Sequence, residues 1–67
     1  MEGFIEVTDF ERRDKMLIRT TSIMSISTVK GHGTFIETYN DEKGTGGYCV
    51  RETYEEIKNK IKNCEVN

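Results

Sequence analysis

The apolar positions change period once along the chain. Over residues 4–10, Ile5 and Val7 alternate with Phe4, Glu6, Thr8 and Phe10, the two-residue period of a pleated strand. Residues 15–19 repeat the character around Met16, Leu17 and Ile18. Residues 23–29 are rich in β-branched side chains (Ile23, Ile26, Thr28, Val29), and residues 34–39 set Thr34, Ile36 and Thr38 against Phe35, Glu37 and Tyr39. A last short strand is predicted at residues 48–51. From there the period lengthens: Tyr54, Ile57, Ile61 and Cys64 are spaced three, four and three, which at about 100° per residue is one stripe of a helix.

The helix carries its own start signal. Thr53 stands three residues before Glu56, so the hydroxyl can accept from the Glu56 amide while the Glu56 carboxylate reaches back to the Thr53 amide. Glu55 and Glu56 fall at the positive end of the helix dipole; Lys58, Lys60 and Lys62 lie toward the negative end. Glu55–Lys58 and Glu56–Lys60 fall at the spacing of helix-surface ion pairs. Residues 65–67 are expected to fray.

Every link between strands is short. Residues 11–15 make a charged turn without glycine, Thr20-Thr21-Ser22 a tight turn stabilised by hydroxyl-to-backbone bonds, and Lys30-Gly31-His32-Gly33 a hairpin turn whose glycines take positive φ at little cost. Residues 40–47, with an Asn-Asp pair and three glycines, read as the longest and most mobile loop. Links of this length join antiparallel neighbours, not parallel strands. The expected architecture is a single small α+β domain over residues 1–67: an antiparallel meander sheet of four to five strands with one C-terminal helix across one face. Ile5, Val7, Ile18, Ile26, Ile36, Tyr48, Val50, Tyr54, Ile57 and Ile61 form the expected core.

Composition narrows what such a domain can do. A chain of 67 residues buries only about 60% of its unfolded surface, so oligomerisation is a natural further source of stability. Ten basic against twelve acidic residues leave a net charge of −2, which disfavours non-specific binding to nucleic acid or anionic membranes. No apolar run approaches the roughly 20 residues of a membrane span, and Glu2, Glu6 and Asp9 interrupt any signal-peptide pattern. Two cysteines fifteen apart make no disulfide framework, and with one histidine no zinc site. Free thiols and no export signal point to the cytoplasm.

The residue types that could carry chemistry are each outweighed by a plainer role. Gly44-Thr45-Gly46-Gly47 is dense in glycine, but it joins two strands and lacks the Lys-Ser/Thr ending of a phosphate loop. His32 sits at a hairpin tip with no nucleophile or acid beside it. Cys49 faces away from the helix if Val50 faces it, so a bridge to Cys64 is disfavoured and both read as inert thiols. Arg12, Arg13 and Lys15 are interleaved with Glu11 and Asp14, and no aromatic series accompanies them as a stacking platform would require. No catalytic, cofactor-binding or metal-ligating residue is assigned, and no cofactor is expected.

Ile23-x-x-Ile26, a following hairpin and the ending built on Val50, Glu52, Thr53, Glu55, Glu56 and Ile57 resemble flagellar FlbD-type small proteins and related short bacterial or phage proteins. The strand-pair-then-helix ending also resembles parts of LytTR-type DNA-binding domains. The glycine-rich turns at residues 30–33 and 44–47 depart from the first pattern, and this chain is shorter and more acidic than the second. Neither resemblance carries a catalytic residue onto this chain.

The expected function is a non-enzymatic protein-interaction or assembly module, self-associating or bound to another protein. Strand alternation puts Phe4, Phe10, Leu17, Phe35 and Tyr39 on the sheet face that one helix leaves uncovered, and such apolar patches mark partner surfaces. The alternative is a nucleic-acid-binding accessory domain, which would need a contiguous basic face.

Overall fold

A computed structural model describes residues 3–65 of the chain; the expected fraying of Val66 and Asn67 lies outside them. The elements are β1 (Phe4–Thr8), β2 (Lys15–Arg19), a single 3-10 turn at Thr20–Ser22, β3 (Ile23–Thr28), β4 (Thr34–Asn40), β5 (Gly44–Val50) and α1 (Tyr54–Glu65). The class is α+β, as expected, but the strands do not form one meander sheet. β1 and β2 make an antiparallel pair; β3, β4 and β5 make a separate antiparallel sheet in that order.

The division falls at Thr20–Ser22. There the Thr20 amide and hydroxyl both donate to the Gly3 carbonyl, at 2.8 and 3.3 Å. The hydroxyl therefore bonds to the backbone, as expected, but to the start of β1, which turns the chain out of the first pair and into the second sheet. The two sheets meet again at one place. Asp9 bridges Val50, with the Phe10 amide donating to the Cys49 carbonyl at 2.9 Å and the Arg51 amide to the Thr8 carbonyl at 2.9 Å.

The core lies between the sheets and under the helix. Ile5 opposite Ile18 and Val7 opposite Met16 line the inner face of the first pair. Ile26, Ile36 and Tyr48 form one cross-strand row of the second sheet, and Thr28, Thr34 and Val50 the next. Ile5, Val7, Ile18, Ile36, Val50 and Ile57 are buried, with Met16, Ile23, Ile26, Ile61 and Cys64 packed against them. α1 lies against β1 and β3, spanning both sheets through Ile57.

Of the ten expected core residues, Ile26 and Ile61 are half-buried and two are exposed. Tyr48 is 41% exposed and Tyr54 38% exposed. Tyr48 occupies the correct row but remains partly open to solvent there. Tyr54 opens the helix beyond the edge of the core, with the Lys58 ammonium 5.8 Å from its ring centroid. Thr34 is buried in their place, its hydroxyl donating to the Glu52 carbonyl at 2.8 Å.

The loop expected over residues 40–47 is a three-residue turn followed by strand. Asn40 Oδ1 accepts from the amides of Glu42 and Lys43 at 2.8 and 3.2 Å, and Gly44 closes the turn at φ 77°. The remaining glycines belong to β5. Gly47 is tolerated there because the Phe35 ring fills the space its side chain would take. The charged turn between β1 and β2 places Arg13 at φ 63°, doing without glycine, while Asp9 Oδ2 accepts from the Arg12 amide at 2.8 Å.

The helix start matches its sequence signal. The Thr53 amide donates to Glu56 Oε1 at 2.8 Å and the Glu56 amide to Thr53 Oγ1 at 3.1 Å. Lys58 pairs with Glu55 at 3.5 Å, whereas Glu56 is engaged at the cap.

Candidate functional site

The structure separates the five expected interface residues. The three phenylalanines each find cover within the chain. Phe4 lies under the Arg19 guanidinium, 5.2 Å from its ring centroid. Phe10 lies under Arg51 at 4.8 Å and beside His32, with ring centroids 5.6 Å apart. Phe35 is spread across Gly47. All three are half-buried. Cation–ring contacts of this kind keep a ring's face from water while leaving the charge solvated.

Leu17 and Tyr39 are left open, at 52% and 47% exposure. They are brought together, from strands of different sheets, on one cleft of about 290 Å³. One wall comes from β2 (Leu17, Ile18, Arg19); the other is the distal half of the β4–β5 hairpin, from Thr38 through Tyr48. Tyr48, expected in the core, therefore belongs to the same surface as Leu17 and Tyr39. Alternation alone could not reveal this, because Tyr48 shares its strand face with Ile36. The available signal was the glycine content of residues 44–47, which marks a hairpin end too thin to support a packed layer.

The cleft differs from the rest of the surface in charge. Arg19 and Lys43 line it with Asn40, Ser22, Thr38 and Thr45, and no carboxylate does. Asp41 and Glu42 belong to the neighbouring turn, outside the lining. In the β1–β2 turn, Arg12 is paired with carboxylates, reaching Asp9 at 3.7 Å and Asp14 at 3.5 Å.

Beside the cleft runs a free strand edge. Residues of β5 whose backbone groups point away from β4 alternate, and Cys49 and Arg51 use theirs on Phe10 and Thr8. The same alternation turns the amide and carbonyl of Thr45 and Gly47 outward, where they have no partner among the described residues. The opposite edge of this sheet is different: β3 carries a register shift between Ile23 and Ser25, the kind of bulge that blunts an edge against further pairing.

The other singled-out residues stay apart from the cleft. His32 is exposed at its turn, with Nδ1 3.4 Å from the Lys30 carbonyl. Cys49 and Cys64 are free thiols; Cys64 Sγ accepts from the Gly3 amide at 3.1 Å and lies 3.7 Å from the Phe4 carbonyl. Glu52, which sequence reasoning passed over, accepts from the Thr8 amide and hydroxyl, both at 2.9 Å, and so ties the helix approach to β1. Among the described residues, no group of three or more His, Cys, Asp or Glu side chains gathers in a way that could hold a metal ion. No described helix is long and apolar enough to cross a membrane.

No family model, curated protein or solved structure matches the chain.

Proposed function

We propose that this chain is a non-enzymatic protein-interaction module and that the cleft between β2 and the distal β4–β5 hairpin is its docking surface. The supporting observation is that Leu17, Tyr39 and Tyr48, three of the large exposed hydrophobic residues, all contribute to the lining of one cleft together with polar groups. Aromatic anchors grouped in this way favour protein partners, since each can bury a large area with little loss of side-chain freedom. Selection from a random peptide library tests the reading. Enriched sequences should bind the wild-type chain and lose binding to a Leu17→Ser, Tyr39→Ser, Tyr48→Ser variant that keeps its far-ultraviolet circular dichroism. Enrichment that ignores the triple substitution, or no enrichment at all, rejects it.

Self-association is the second reading, favoured by the unpaired edge of β5. Phe4, Phe10 and Phe35, three of the five side chains on which the apolar interface was expected to rest, are half-buried within the chain and offer it less surface. Sedimentation equilibrium at tens of micromolar decides it: a monomer rejects self-association.

A further inference from the structure

We infer that the cleft's partner is an acidic segment in extended conformation, added as a strand along the free edge of β5; this deepens the docking reading above and rests on it. Three observations, from charge, backbone and shape, lead to the same ligand.

The first is charge. Acidic residues outnumber basic ones in the chain, yet the cleft is lined by Arg19 and Lys43 without a carboxylate. A partner carrying carboxylates at this surface meets two cations and no lining anion. A basic partner meets the same two cations and finds carboxylates only on the neighbouring turn, at Asp41 and Glu42. Exposed pairs of this kind contribute up to about five-fold each in affinity, so they choose among partners more than they hold them.

The second is backbone. Thr45, which lines the cleft, and Gly47, two residues further along, turn two amides and two carbonyls outward from the edge of β5. Only a chain in extended conformation presents donors and acceptors at the matching spacing. A strand added there continues the β3–β4–β5 sheet by one member, while side chains on one of its faces look toward Tyr48, Lys43 and Arg19.

The third is shape. Gly46 and Gly47 leave the edge without bulky side chains, so a neighbouring backbone can approach to strand spacing. On β3 the register shift between Ile23 and Ser25 interrupts such a line at one end. Single-stranded nucleic acid would find two tyrosines and two cations in the cleft, but it has no use for the paired backbone donors and acceptors. Neutralising only about two phosphates would also leave its affinity low.

The test uses the full chain, labelled with nitrogen-15, and blocked hexapeptides of alternating Glu-Val, Thr-Val and Lys-Val, with a uridine hexanucleotide as a fourth arm. The Glu-Val peptide should bind about three- to ten-fold more tightly than the Thr-Val peptide in low salt, and the Lys-Val peptide least. Its amide shifts should centre on Thr45 and Gly47, whose hydrogen exchange should slow on binding. Lys43→Glu, at an exposed turn position, should abolish the preference for Glu-Val, and Arg19→Glu with Lys43→Glu should invert it toward Lys-Val.

Equal binding of Glu-Val and Thr-Val overturns the acidic assignment while leaving the docking surface standing. Shifts that avoid β5 overturn strand addition. Binding of the uridine oligomer in preference to every peptide overturns the inference in favour of nucleic acid. If library selection yields cleft-dependent binders but no Glu-Val binding is seen at millimolar peptide, the inference alone falls. If selection also yields none, the docking reading falls with it.

Discussion

Strands β4 and β5 run side by side from Asn40 and Gly44 to Thr34 and Val50, but their two ends meet different surroundings. At the Thr34–Val50 end, β1 bridges Val50, Glu52 binds Thr8, and Ile57 of α1 closes the core. At the Asn40–Gly44 end the hairpin and β2 are parted by the cleft, and both tyrosines along it are exposed. One end is a closed corner where several elements satisfy one another's backbone groups. The other is a ledge whose groups are free to be used. The same two strands can serve stability at one end and recognition at the other, because burial at the first compensates for exposure at the second.

Substitutions should separate the two ends. Gly33→Ala, at the closed end, should have the largest effect. Gly33 has φ 73°, and a Cβ there would run into the Val50 carbonyl and crowd Phe10. Left-handed strain of about 1–3 kcal/mol is joined by about 1–3 kcal/mol of overpacking. Against a total stability of about 3–10 kcal/mol for a domain of this size, that should leave much of the protein unfolded at 25 °C by circular dichroism. A cooperative melt unchanged from wild type would show that the turn does not pack on Val50.

Next comes Ile57→Ala, with an expected loss of about 2–5 kcal/mol in urea denaturation. The residue is fully buried where α1 meets the core. If the midpoint moves no further than for Lys62→Ala, on the exposed helix face, the helix does not seal the core as described.

Glu52→Ala should cost about 1–3 kcal/mol, since it removes two charge-assisted bonds and leaves the Thr8 amide without its acceptor. Adding Thr8→Ala should then cost less than it does in the wild-type background; strict additivity in the double-mutant cycle would count against the pairing.

The smallest effects belong to the ledge. Leu17→Ser and Tyr39→Ser should each shift stability by no more than about 0.5 kcal/mol, as expected for exposed positions, while abolishing binding of library-selected peptides. A loss above 2 kcal/mol at either site would mean that the cleft is part of the core.

Much of this molecule was legible along the chain. Alternation located β1 and β4, apolar and β-branched runs located β2 and β3, and the three-four-three stripe with the Thr53–Glu56 reciprocal cap located α1, because each of these signals is carried by residues within a few positions of one another. Six of the ten residues expected in the core are buried for the same reason. The start of β5 was missed because glycine weakens a strand signal unless something covers it, and its cover, the Phe35 ring, comes from the neighbouring strand. Residue spacing could say that Phe4, Phe10, Leu17, Phe35 and Tyr39 point away from the first core face, but not what lies above each. Whether a side chain is wet depends on contacts between segments far apart in sequence. Tertiary structure placed Arg19 over Phe4 and Arg51 over Phe10, while dividing the sheet at Thr20–Ser22 opened the cleft. The chain by itself determined which elements form and which way each residue points; only the packing of those elements decided that three rings are covered and that Leu17, Tyr39 and Tyr48 share one surface, since cover is supplied by neighbours in space and not by neighbours along the chain.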